Sequence, residues 1–245
     1  MNYRMNISYD GTRYKGWQRQ KDANSSIQGK IEQTLSKYFN EEIQIIGASR
    51  TDAGVHAKMQ VANFKLNRKV NLQELQKDIN SYLPSDIVVN EIFLAEEKFH
   101  SRFNAVKKNY EYTIWKADAK YPPLFERKYV YTIDRKIDVK KMNAAAKEFI
   151  GEHDFRGFSS DKTKKGTIRN IESIDISEDE FTIKFKFCGD GFLYNMIRIM
   201  VGTIIEIGAG EKSMDIIGEV FQTKSRELAG YTVPACGLIL QEIIY

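Results

Sequence analysis

The residues best suited to chemistry lie in one short stretch, Gly47-Ala48-Ser49-Arg50-Thr51-Asp52-Ala53-Gly54-Val55-His56-Ala57. It sets a carboxylate two positions after a guanidinium, among residues small enough to let backbone approach a ligand closely. Such a carboxylate can attack an electrophilic carbon, stabilise a developing cation or take a proton. It can equally cap backbone N–H groups in a tight turn, and from residue types alone that is the commoner use. The second such residue is Arg198, in a run apolar on nearly every side from Phe192 to Ile207. A guanidinium there must reach solvent on its aliphatic stem or find an anion, because a buried unpaired charge is very costly. Glu206 lies beyond the spacing of helical neighbours, so an anion would come from elsewhere, and Asp52 is one candidate. Residue types leave both fates of Arg198 open.

These residues need elements to hold them. Tyr3, Met5, Ile7 and Tyr9 alternate with polar residues, the pattern of a half-buried strand. Ser26 then precedes Ile27, Ile31, Leu35 and Tyr38, an apolar stripe at helical spacing behind an N-cap residue. Ile43 to Ile46 and Ala62 to Leu66 read as strands flanking the loop. Leu72, Leu75, Ile79 and Tyr82 mark a second helix, stopped by Pro84, and Ile87 to Phe93 a further strand. The order is β-α-β-β-α-β, the ferredoxin-like pattern. It repeats in outline. Tyr110 to Trp115 alternates, Tyr129 to Ile133 extends or pairs with it, and Asp138 caps a helix through Phe149. Ile168 to Ile176 and Phe181 to Phe187 form two strands. The apolar helix from Phe192, a helix from Met214 to Phe221 and a strand from Leu238 to Ile244 close the chain. The expectation is an α+β protein of two ferredoxin-like halves, 1–103 and 104–245, side by side with a ligand cleft between them.

Bulk properties narrow the function classes only a little. Lys plus Arg number 37 against 33 Asp plus Glu, a net +4 that permits a polyanionic partner without demanding one. Cys188 and Cys236 stand far apart and His56, His100 and His153 are scattered, so neither a disulfide framework nor a zinc site is indicated. No Arg-rich transit peptide or apolar signal core opens the sequence, and Phe192 to Gly208 falls short of a span of roughly 20 residues. A cytoplasmic protein without a membrane segment is expected. The lysines at 162, 164 and 165 form a charge run of the kind found on solvated loops, or on loops that touch phosphate.

Taken together, the short motifs resemble one family. Tyr9-Asp10-Gly11-Thr12 with Gly16-Trp17-Gln18-Arg19-Gln20 resembles the opening signature of the tRNA pseudouridine synthase A family, and Arg50 to Ala57 resembles its catalytic motif without a change. Gln60 to Phe64, Asn80 to Ile87, Phe99-His100-Ser101-Arg102-Phe103, Tyr110-Glu111-Tyr112 and His153-Asp154-Phe155 with Phe158 follow in the same order. Gly191 to Arg198, Val201-Gly202 and Pro234 to Leu238 complete the series. Three positions depart from the common pattern: Asn63 for a frequent His, Ser101 for Ala and Lys108 for Arg. None lies in the Asp52 motif.

The resemblance implies that Asp52 is the catalytic aspartate and Arg198 its ionic partner. It further implies that Tyr110 packs on the target uracil, that Arg50 holds the place the base has left, and that Leu238 lines the pocket. It implies a homodimer acting on the anticodon arm of tRNA at positions 38, 39 and 40 of tRNA numbering, with no cofactor. The residue types suit that reaction. Uridine isomerisation breaks the C1′–N1 bond, turns the base and joins C5 to C1′, with no redox change. A guanidinium would keep the carboxylate ionised, and an aromatic face would retain the detached base. A non-catalytic RNA-binding protein would leave Asp52 beside Arg50 without a purpose, and a nucleoside glycosidase would ordinarily show a second catalytic carboxylate.

Overall fold

The structure is a computed structural model that describes residues 1–161 and 166–245; the lysines at 162, 164 and 165 lie outside the described residues. The chain divides into two compact units, Met1–Val106 with Ile239–Tyr245, and Lys107–Leu238.

In the first unit β1 (Asn2–Tyr9), α1 (Ile27–Phe39), β2 (Ile46–Gly47), β3 (His56–Lys65), α2 (Leu72–Tyr82) and β4 (Ile87–Ala95) follow in the order β-α-β-β-α-β. The strands lie β4-β1-β3-β2, each neighbouring pair antiparallel. The helices start where side chains replace missing backbone partners. Ser26 accepts from the Gly29 N–H at 3.3 Å, and Asn71 accepts from the N–H groups of Gln73 and Glu74. Each cap is worth about 1 kcal/mol. Buried Ile27, Ile31 and Leu35 of α1, with Leu75 and Ile79 of α2, supply the apolar faces.

Two expectations change here. The alternation of β1 predicts one wet face, yet Asn2 and Asn6 are as buried as Met5. Asn2 donates to the carbonyls of Glu96 and Phe99, and the Arg4 guanidinium lies 4.5 Å from the Tyr245 ring centroid. Polar residues therefore line a second covered face. Ile43 to Ile45, expected as strand, is not one. The Ile43 N–H donates to Ser36 Oγ, the Ile45 N–H donates to Glu32 Oε1, and the Ile45 carbonyl accepts from Gln28 Nε2. Side chains of α1 thus serve the backbone that a sheet partner would have served, and strand pairing begins only at Ile46.

The second unit contains β5 (Lys107–Trp115), β6 (Tyr131–Thr132), α3 (Val139–Lys147), β7 (Gly151–Asp154), β8 (Ile168–Glu178), β9 (Thr182–Gly189), α4 (Met196–Gly208) and α5 (Ile216–Thr223). Its strands run β5-β9-β8-β7 with antiparallel neighbours, while β6 lies parallel to β5. The apolar helix expected from Phe192 starts four residues later, because Asn195 adopts a left-handed conformation (φ 61°) that a continuing helix cannot contain. Strand β7 has no clear sequence signature; it is four residues long and pairs at the edge of β8.

Its place in the chain assigns the last strand, β10 (Leu238–Ile244), to the second half. From Ile239 onward it belongs to the first unit, where it lies parallel to β3 with Ile239 opposite His56 and Leu240 opposite Ala57. The Val106 N–H donates to the Ile244 carbonyl, closing the same unit. A parallel pairing between segments so far apart in the chain leaves no trace in local periodicity.

Candidate active site

The Asp52 loop is held by the chain's opening motif. Trp17 N–H donates to the Thr51 carbonyl at 3.0 Å, and the hydroxyls of Tyr9 and Thr51 share a hydrogen bond of 2.7 Å. Gly11 N–H donates to His56 Nδ1 at 3.0 Å, and the Asp10 carboxylate stands 3.2 Å from the same nitrogen. On the other side the Gln60 amide straps Ser49, accepting from its N–H and donating to its carbonyl. The loop itself closes as a turn, with Val55 N–H donating to the Asp52 carbonyl and Gly54 at φ 78°.

The glycines of the opening motif have a defined task. A Cβ on Gly11 would sit 2.0 Å from the Val55 carbonyl oxygen, and one on Gly16, itself at φ 92°, 2.6 Å from the Thr51 carbonyl oxygen. Both approaches are backbone against backbone, which cannot yield as a side chain would. The two motifs, separate in sequence, therefore form one packed object. Asp52 projects from it half-buried, and Arg50 is exposed.

Arg102 joins this surface. Its Nη2 donates to the Gly47 carbonyl at 3.4 Å, at the base of the loop. Burial and then the like charge of Arg50 lower its pKa. In the sequence Arg102 stands only as part of the Phe99 to Phe103 motif. Nothing in its spacing places it against Gly47.

Two of the departures from the family pattern prove to be partners. Ser101 N–H donates to Asn63 Oδ1 at 2.9 Å, the Ser101 hydroxyl bonds the same oxygen, and Asn63 Nδ2 donates to Asn2 Oδ1 at 3.0 Å. Both side chains are fully buried, so each satisfies the other where a lone polar group would be costly.

In the second unit Tyr110 lies on β5, buried, opposite Phe187 of β9, with Phe192 meeting its ring edge-on at 5.3 Å. Arg198 sits on the first turn of α4, partly buried. Its Nε donates to the Val233 carbonyl at 2.7 Å and its Nη1 to Asn195 Oδ1 at 2.7 Å, while Val233 N–H donates back to the Arg198 carbonyl. This guanidinium thus fastens the segment that leads to Leu238, which is buried at the start of β10. Arg50 and Asp52 share one loop; Tyr110 and Arg198 stand on separate elements of the second unit. Among the described residues no group of His, Cys, Asp or Glu is arranged to hold a metal ion. No helix among them is long and apolar enough to cross a membrane.

Comparison with known proteins decides the family. A family profile described as tRNA pseudouridine synthase matches residues 5–104 and 145–245. The chain belongs to the tRNA pseudouridine synthase family. It is similar to the tRNA pseudouridine synthase A of Bacillus sp. strain KSM-64, 48% identical over 245 residues, covering 100% of this chain and 99% of that one. To the tRNA pseudouridine synthase A 2 of Clostridium perfringens it is 42% identical over 245 residues, with 100% and 99% covered. A crystal structure of a Cbf5-Nop10-Gar1 complex aligns at 13% identity and a TM-score of 0.35 over 82% of this chain and 54% of that one, too slight a likeness to bear on the site. As a member of the pseudouridine synthase family the chain is an isomerase that converts uridine to pseudouridine. The matched spans contain Arg50, Asp52, Arg198 and Leu238, whereas Tyr110 falls between them.

Proposed function

We propose that this pseudouridine synthase acts in the cytoplasm, as a homodimer, on uridines 38, 39 and 40 of the tRNA anticodon arm. Asp52 is the catalytic aspartate and Arg198 its ionic partner; Tyr110 packs on the uracil and Leu238 lines the pocket. The observation that carries this reading is the Asp52 loop. From Arg50 to Ala57 it resembles the family's catalytic motif, and it is braced on both sides with the carboxylate left half-exposed.

The chemistry follows from that placement. The C1′–N1 bond breaks with the electron pair leaving on uracil N1, and the Asp52 carboxylate meets the electron deficiency left at the sugar. The base turns, C5 bonds C1′, the hydrogen on C5 departs as a proton, and N1 gains one. No atom is lost overall. The target must first leave its helix at a cost of a few kcal/mol, and exposed Arg50 is suited to offset that cost by occupying the vacated space and contacting phosphate.

Tritium placed on C5 of uridine in tRNA is released to solvent only if this sequence runs. Asp52→Asn is expected to abolish release while leaving tRNA binding within a few-fold of the native protein. Turnover near the native rate would remove Asp52 from the mechanism. Mapping pseudouridine in tRNA from cells lacking the protein tests the three positions, and sedimentation tests the dimer.

A further inference from the structure

Beside the Asp52 loop the segment from Phe99 to Asn104 displays an aromatic ring to solvent. Phe103 is 79% exposed, one of the largest apolar exposures in the chain. The exposure does not come from slack backbone. The Phe99 carbonyl accepts from Asn2, Ser101 N–H donates to Asn63, and the Ser101 carbonyl accepts from the Tyr245 hydroxyl. His100 and Asn104 bond reciprocally, His100 N–H to Asn104 Oδ1 at 2.7 Å and Asn104 N–H to the His100 carbonyl at 3.0 Å. The N–H groups of Arg102 and Phe103 both donate to His100 Nδ1, each at 3.2 Å. That nitrogen therefore presents its lone pair, and the imidazole is fixed in place. It lies against one face of the Phe103 ring, centroids 4.1 Å apart and planes 24° from parallel.

A ring stacked on one face, open on the other and rigidly mounted is suited to accept a second flat group. The neighbouring charge says which kind. Arg102 precedes Phe103, and its guanidinium donates to the Gly47 carbonyl at the base of the loop that carries exposed Arg50, whose like charge acts on it. Two cations at one loop favour an anion beside them. A flat apolar group joined to an anion describes an unpaired nucleotide, read by stacking and by phosphate contact.

We propose that Phe103, backed by His100, is the stacking platform for an unpaired nucleobase next to the target uridine, with Arg50 and Arg102 taking the adjoining phosphate. This rests on the tRNA reading above and adds a positioning residue to it. A nucleotide held here would keep the strand fixed while its neighbour is turned out toward Asp52.

The test compares four variants for tRNA affinity, for KM and kcat, and for melting temperature. Phe103→Ala is expected to weaken tRNA binding and raise KM by about 5- to 150-fold, the range for loss of one base–aromatic stack, with kcat at saturating tRNA nearly unchanged. Phe103→Leu keeps apolar bulk without an aromatic face and should bind as poorly. Phe103→Tyr and Phe103→Trp should restore native affinity. Melting should not move, because the ring is largely in solvent. Native affinity in Phe103→Ala or Phe103→Leu would overturn the platform, as would a change in sedimentation showing that the ring contacts another protein copy. If the native protein released no tritium from tRNA, the tRNA reading itself would fall, an outcome distinct from a native protein that is active and indifferent to Phe103.

Discussion

Arg198 shows how one side chain carries two assignments. Its Nε and Nη1 are spent on the Val233 carbonyl and Asn195 Oδ1, bonds that hold the left-handed entry to α4 and the segment before β10. Family resemblance gives the same guanidinium to Asp52 as an ionic partner. Arg198→Met separates the two. Loss of the structural bonds should lower stability by about 1–3 kcal/mol, read as a lower melting temperature. Loss of the catalytic role should lower the single-turnover rate at least 100-fold in protein still folded. A destabilised variant with the native rate would leave Arg198 as a structural clamp alone.

At the scale of elements, the opening motif exists to receive the Asp52 loop. Gly16→Ala forces a side chain onto a positive-φ residue and drives Cβ into the Thr51 carbonyl. We expect a stability loss of about 2 kcal/mol or more and a fall in tritium release that exceeds the unfolded fraction, since Thr51 and Asp52 must shift to admit the methyl. Elsewhere, an aromatic group formed by buried Phe149, Phe155 and Phe158 with half-buried Phe221 gathers α3, α5 and the turn after β7, with His153 stacked on Phe221 at 4.5 Å. Asp154 ties that turn to the end of α5 through Lys224 Nζ at 2.7 Å. Burial pushes the Asp154 carboxyl up, but Lys224, Thr167 and the Arg156 N–H together outweigh it and hold the group at about 2. The pKa is lowered in the folded state. Its contribution is therefore complete above the unfolded value near 4 and is lost as pH falls toward 2. Asp154→Asn should cost about 1–2 kcal/mol at pH 7, after allowance for partial exposure, and the gap from native should close between pH 4 and pH 2. Denaturant unfolding across that range reads it directly.

For the whole molecule the relevant partner is a polyanion, while the net charge is only +4. Charge placement must then supply the affinity, with exposed Arg50 and half-buried Arg102 at the same loop of the first unit. Log affinity for tRNA should fall linearly with log salt, with a slope steeper than about −2, each phosphate contact adding roughly 0.7 to 0.9. A flat plot would mean that base contacts alone hold the substrate, and would weigh against the phosphate role given to Arg50 and Arg102.

Most elements were legible in the sequence because the forces that form them act over a few residues. The stripe of Ile27, Ile31 and Leu35, the cap Ser26 and the strand from Tyr3 to Tyr9 each reappear as read. So does the loop that carries Arg50 and Asp52, whose small residues and turn chemistry are equally local. What the tertiary structure alone decided lies between residues distant in the chain. The pairing of Ile239 with His56 places β10 in the first unit, and the side chains of α1 take over the backbone of Ile43 and Ile45. The bond between Asn63 and Ser101 turns two separate departures from the family pattern into one exchange. Gly11 and Gly16 are fitted to carbonyls some forty residues later, and Phe103 is left bare by a turn built from Asn2, Asn63 and Tyr245. Periodicity and capping report on neighbours along the chain. They carry no information about which distant backbone comes within van der Waals reach, and that closeness is what shaped the site.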